Sequence, residues 1–331
     1  MSSFMPSLKR SPHDPFLQHV AKPHQTLLNV LGVPVQFTSN QRSLLNLATQ
    51  AFGGLQNTEP YTHLQIELLA NQDLHGHAFT EPPAYVQYAN AHLFSAIFSP
   101  ADAVLCALDA HNALITVSPA MRRFPYNVRY EMIENAAYHL VGCYLDVVPL
   151  HGAALAHSNS GLLIFGESGA GKSTFATACL CAGWQLIGED SAFVLPHVPL
   201  HMRGVPNFLH LLDDALRFFP NRHWRGKPIV RRSARTKLEL DVRTHFPQAP
   251  RVDAPISTLI FLQPYAPNRA HPFLRALTPA QVQRRLIRTQ PFGSQHARWP
   301  WLLDEVLKLP AFALYPSGDV HQGVGLLASL S

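Results

Sequence analysis

Residues 166–173 read GESGAGKS, which sets Gly166, Gly171, Lys172 and Ser173 at the spacing G-x-x-x-x-G-K-[ST]. Each type has a job in holding phosphate. Glycines let consecutive backbone N–H groups turn toward one anion. A helix that starts at the end of the loop adds the positive end of its dipole. Lys172 reaches the outer phosphates of a nucleotide, and the Ser173 hydroxyl suits a Mg2+ coordination site. The expected nucleotide-binding segment is therefore Gly166, Glu167, Ser168, Gly169, Ala170, Gly171, Lys172, Ser173 and Thr174. Its flanks agree: GLLIF (161–165) reads as an apolar strand and STFATACLCAG (173–183) as a helix closed by Gly183.

Two acids follow closely. Glu189 and Asp190 come at the end of the next apolar run, WQLIG, and His151 stands upstream at the start of a strand. No LSGGQ signature and no guanine-selecting NKxD occurs. The order is thus histidine, phosphate loop and two acids within forty residues. A positioned carboxylate can take a proton from a hydroxyl, and a neighbouring histidine can tune it.

The elements that must position these residues come from periodicity. Residues 1–25 are polar, Pro-containing and aperiodic, and read as a flexible tail. Short apolar runs at 64–70, 84–89, 92–98, 103–108 and 113–118, broken by turn residues, predict an antiparallel meander with one helix near 41–52. Met132, Ala136, Leu140 and Cys143 recur at helical spacing and predict a helix over about 127–145. HSNSG, between two apolar runs, predicts a hairpin leading into the loop. A buried strand is expected at 256–264, a helix at 278–290 with Thr278 and Pro279 at its start, and another over ARWPWLLDEVLKL. The expected fold class is α/β, a mixed sheet around the loop and its helix, preceded by a smaller α+β domain. The expected boundaries are 1–25, 26–146 and 147–331.

Bulk composition excludes some classes. The chain has 331 residues, 47% apolar, with no apolar run long enough to span a bilayer and no signal-peptide core. Four cysteines without CxxC spacing read as free thiols, and a cytoplasmic location is expected. Formal charge is +5, with basic residues gathered at 222–237 and 284–288. Such patches suit nucleic acid, nucleotide phosphates or an acidic partner. Nucleic acid is disfavoured, because no aromatic-interleaved or zinc-finger pattern accompanies them. In the first patch, Lys237 and Arg232 are candidates for meeting transferring phosphates.

Residues 150–195, from LHGAALAHSNSG through GESGAGKS to GEDSAFVL, resemble the catalytic domain of HPr kinase/phosphorylase. The first half is more similar to the N-terminal portion of stand-alone HPr-kinase-related proteins. The resemblance implies an ATP- and Mg2+-dependent kinase acting on a hydroxyl, with serine the best guess, of a peptide, protein or small-molecule acceptor. It leaves a homo-oligomer open. It assigns Mg2+ to Ser173 and Asp190, proton removal to Glu189, and contact with that acid to His151. It leaves Lys172, Lys237 and Arg203 to meet phosphate or substrate. Two departures stand out: Glu189 replaces an aspartate, and in LHMRGVP a histidine, His201, occupies the place of an acid. These departures leave open a second class, a nucleotide-binding sensor or scaffold with little transfer. An Arg-rich, nucleic-acid-dependent NTPase is a third.

Overall fold

The computed structural model describes residues 20–56, 59–60, 63–71, 79–230, 235–266, 268–291 and 293–330. The chain opens with a hairpin, His24–Val30 against Val33–Ser39. Its two-residue turn is Leu31–Gly32, with φ of 53° and 87°. That geometry matches the right-handed twist of the strands on either side. The first strand therefore starts inside the segment read as a tail; residues 1–19 of that tail lie outside the described residues.

Helix Arg42–Phe52 crosses over from this hairpin, so the next strand, Gln65–Ala70, lies parallel to Val33–Ser39. It also lies parallel to Asn112–Val117. Only Val86–Ala89, Leu93–Ser99, Asp102–Ala107 and Asn112–Val117 follow the expected meander. The result is a mixed seven-stranded sheet rather than an antiparallel one. The difference arises at the crossover helix, which forbids a simple hairpin return.

One face of this sheet carries helix Arg42–Phe52 and a long helical run: Pro125–Asn127, a π-wound Val128–Glu134, and Asn135–Leu145. Phe37, Phe52, Phe94, Ile115, Met132 and Leu140 form its core and are fully buried. Each such side chain is worth about 1.5–3 kcal/mol of burial.

The second half is built on a nine-stranded sheet. Its main path runs Gln185–Gly188, Ala153–His157, Ser160–Phe165, Asp253–Leu262, His201–Arg203, Ser191–Val194 and Val148–His151. Ala311–Tyr315 adds parallel to Asp253–Leu262, and Phe273–Ala276 adds antiparallel to Ala311–Tyr315. One core layer holds helices Lys172–Cys181 and Val320–Ala328. The opposite layer holds helices Pro279–Thr289 and Trp299–Val306. A third sheet, Phe208–Leu211, Thr236–Asp241 and Lys227–Val230, has no counterpart in the sequence reading. Cys106 and Cys179 are buried free thiols, Cys181 is half-buried and Cys143 is exposed. Burial pushes the Cys106 thiol up to about 12. No described helix is long and apolar enough to cross a membrane.

The halves are tied by hydrogen bonds between distant residues. Asn207 Nδ2 donates to Ala51 O at 2.7 Å, and Arg243 Nη1 to Gly53 O at 2.6 Å. Arg203, a candidate for phosphate or substrate contact, also joins the two halves. Its guanidinium donates to Leu31 O at 3.2 Å and pairs with Glu59 at 2.7 Å.

Gly161 shows how tightly the central sheet is drawn. A Cβ there would lie 2.1 Å from Pro255 O and 2.7 Å from Met202 Cε. We expect Gly161→Ala to destabilise the protein by about 2 kcal/mol, as overpacking does. Urea unfolding measures it; an unchanged midpoint would show that the strands separate without cost.

Candidate active site

Strand Ser160–Phe165 is buried on both faces and ends where Gly166 turns the chain over. At Gly166 the constraint is room, since a Cβ would meet Ala170 Cβ and Leu262 O at 3.2 Å. At Gly169 and Gly171 the constraint is backbone angle: φ is 83° and 95°, with open space around both. Glu167, Ser168 and Gly169 are exposed, while Ala170 is buried. Helix Lys172–Cys181 then begins, with Ser173 and Thr174 half-buried in its first turn. Its unpaired N–H groups face the loop and form an anion site.

Lys172 folds back over the loop. Its Nζ donates to Gly166 O at 2.8 Å and Glu167 O at 3.4 Å. Burial pushes its pKa below the ordinary lysine value; Asp190 and Glu189 oppose the push, and the like charge of Lys237 adds to it. Lys237, on strand Thr236–Asp241, is thus an electrostatic neighbour of the loop lysine. Arg232 lies outside the described residues.

The two acids separate. Ser173 Oγ donates to Glu189 Oε1, and Glu189 is buried. Asp190 faces outward beside His151, whose Nδ1 is 3.4 Å from Asp190 Oδ1 and 3.1 Å from Asp190 O. The expected pairings are therefore exchanged: Glu189 joins Ser173, and Asp190 joins His151. The two acids form the bend between strands Gln185–Gly188 and Ser191–Val194, where the chain changes direction from one residue to the next. Register completes the split, because Ser191 pairs with His151 across the sheet edge.

Sequence reasoning missed what holds each acid. Glu189 Oε2 accepts from His210 Nδ1 at 2.9 Å. His210 Nε2 reaches Glu239 Oε2 at 3.1 Å, and Glu239 also accepts from Arg129 Nη2. Arg129 Nη1 donates to Glu134 at 3.0 Å. All five residues are buried. The rings of Tyr126 and Tyr130 stand edge-on to His210, and Arg129 lies over the Phe208 ring. Only an imidazolium donates at both nitrogens, so the charged ring satisfies both carboxylates. On the other side, Gln290 grips the His151 backbone: it accepts from His151 N at 2.7 Å and donates to His151 O at 2.9 Å. The alternation in FLHL and LELD marks strands, but nothing local says that His210 and Glu239 meet. His201 lies 3.9 Å from Asp253.

The Ser173 hydroxyl and Glu189 carboxylate are a hard-oxygen pair at a phosphate-binding helix end, and they fit Mg2+. Phosphate oxygens and water would complete such a site. Among the described residues, no cluster of three or more His, Cys, Asp or Glu side chains could hold a metal alone.

No protein-family model matches the chain. Over 85 residues it is 32% identical to the HPr kinase/phosphorylases of Xanthomonas campestris pv. campestris (strain B100) and Xanthomonas oryzae pv. oryzae (strain PXO99A), covering 26% of this chain and 25% of each relative. Over 62 residues it is 36% identical to that of Xanthomonas euvesicatoria pv. vesicatoria (strain 85-10), covering 19% of this chain and 20% of the relative. The likeness is to the HPr kinase-like family. The match spans about a quarter of the length of these curated relatives. Among solved structures, the Hpr(Ser) kinase/phosphatase from Coxiella burnetii is similar at 15% identity, with a TM-score of 0.29 over 55% of this chain and 92% of that one.

Removing His210 leaves Glu189 and Glu239 facing each other with no cation between them. We expect His210→Ala to cost roughly 3 kcal/mol, as breaking a buried ion pair does, read by urea unfolding at pH 7. Glu239 gives a pH signature. Burial raises its pKa, but the His210 hydrogen bond and the Arg129 charge outweigh burial and hold it below the usual value of 4.5. Its contribution is therefore present above pH 4.5 and lost as pH falls through the lowered value. Glu239→Gln should flatten that acid limb of stability against pH; an unaltered limb would remove Glu239 from it.

Proposed function

We propose that the chain is a Mg-ATP-dependent kinase that transfers the γ-phosphoryl to a hydroxyl, serine being the preferred one, of a peptide, protein or small molecule. The observation that carries this reading is the split of the paired acids. One is buried against the loop serine, and the other is half-buried beside an exposed histidine, as a metal ligand and a proton acceptor need to be.

In this reading the backbone N–H groups of residues 169–174 cradle the phosphates, and Lys172 leaves its carbonyl partners to meet the β- and γ-oxygens. Ser173 and Glu189 would hold Mg2+, which when bound offsets charge on the phosphate oxygens. Asp190, oriented by His151, accepts the proton of the incoming hydroxyl. That oxygen forms its bond to the γ-phosphorus as the bond to the β-bridging oxygen breaks, and ADP leaves. Lys237 adds positive charge beside the transferring group. Glu189 is thus a ligand and Asp190 the base, the reverse of the roles the resemblance implies. We further propose residues 26–146 as the acceptor-binding domain and 147–331 as the catalytic domain.

Transfer from labelled ATP to serine peptides and to lysate tests the reading. Lys172→Ala should lose nucleotide binding. Asp190→Asn should keep nucleotide affinity within a few-fold but lose transfer by about a hundredfold or more, the usual worth of a positioned base. Glu189→Gln should raise the Mg2+ concentration needed. Nucleotide binding without any labelled acceptor, with Asp190→Asn indistinguishable from wild type, would leave a sensor instead.

A further inference from the structure

A cavity of about 220 Å³ opens beside the start of the phosphate loop. Gly166, Glu167 and Ala170 form one wall, and residues 261–264 its floor. Arg285, Arg288 and Thr289, from the end of helix Pro279–Thr289, form the other wall. Whole-ligand pockets run to roughly 300–1,000 Å³, so this one suits a single side chain or a chain terminus.

Its charge is uneven: two guanidinium groups face one carboxylate. Arg288 Nη2 meets Glu167 Oε1 at 3.0 Å, but the side chains are 65% and 62% exposed. An ion pair that exposed is worth little and opens readily. Its position is also informative. The loop helix, Lys172–Cys181, lies in one core layer, whereas helix Pro279–Thr289 lies in the other. Directly after Thr289 comes Gln290, which grips the backbone of His151, the partner of Asp190. The arginine wall and the strand end that carries His151 are therefore linked through the last turn of one helix and the residue that follows it.

We propose that this cavity receives a carboxylate of a peptide acceptor, held by Arg285 and Arg288, so that the acceptor carries an acidic residue near its reactive hydroxyl. Guanidinium groups bind carboxylates through paired, charge-assisted hydrogen bonds. Glu167 is the internal competitor, and an incoming carboxylate takes its place on Arg288. The word acceptor rests on the kinase reading above; the binding does not.

Two fluorescent serine peptides test this, one flanked by glutamates and one by glutamines, with anisotropy as the readout. Wild type should bind the glutamate peptide about tenfold or more tightly, the worth of one or two charge-assisted hydrogen bonds. The double variant Arg285→Gln/Arg288→Gln should lose that preference while binding a fluorescent ATP analogue as wild type does. Glu167→Gln should move the preference the other way, severalfold upward. Equal binding of the two peptides by wild type overturns the proposal. So does a loss of nucleotide affinity in the double variant, which would give the cavity to the nucleotide. Failure of the kinase reading looks different: the glutamate peptide is bound with preference and never phosphorylated.

Discussion

Burying charge is expensive unless every charge has a partner, and the row Glu189–His210–Glu239–Arg129–Glu134 obeys that rule across the whole molecule. One end touches the serine of the phosphate loop. The other lies on the π-wound helix of the first half. Glu189, His210 and Glu239 come from the second half and Arg129 and Glu134 from the first, and the Arg129–Glu239 pair joins them. Glu189 itself is held within the second half, by Ser173 and His210, and the crossing fixes the far end of the row at Glu239. Around this row the remaining ties, from Arg203, Asn207 and Arg243, secure the same assembly by neutral carbonyls and one further ion pair.

The site divides labour between an interior and an exterior. Inside, Glu189 is buried and accepts hydrogen bonds at both oxygens. Outside, Asp190 stands beside His151, at a sheet edge where a partner molecule can approach. A single peptide step separates the two environments. The strands on either side, Gln185–Gly188 and Ser191–Val194, belong to distant positions along the same sheet path. The chain passes between them through that step, and Gly188 permits the close crossing. A Cβ there would lie 2.2 Å from Ser191 O.

The phosphate loop, its hairpin and its helix were legible because everything they need is local: glycine angles, an apolar strand, a helix start. Helix Pro279–Thr289 was legible for the same reason. The first two strands were not read, although the Leu31–Gly32 turn was their signal, because the polar residues before them resembled a tail. The tie from Arg203 to Glu59 was not read because the two lie 144 positions apart. Glu239 and Arg129, 110 positions apart, look like ordinary charged residues until the third sheet brings them together. The roles of Glu189 and Asp190 depend on which way each side chain points, and two neighbouring acids do not encode that in their types.

The shared charge row also bears on how such a chain can change over generations. Arg129 and Glu134 belong to one half, Glu189, His210 and Glu239 to the other. A recombination event that brought in a new first half without a cation at position 129 would leave Glu239 short of one partner in a dry interior. The two halves are therefore bound to be inherited together, or to exchange these residues in concert. Change in such a lineage would fall on surfaces outside this row, and not come by wholesale replacement of the first half.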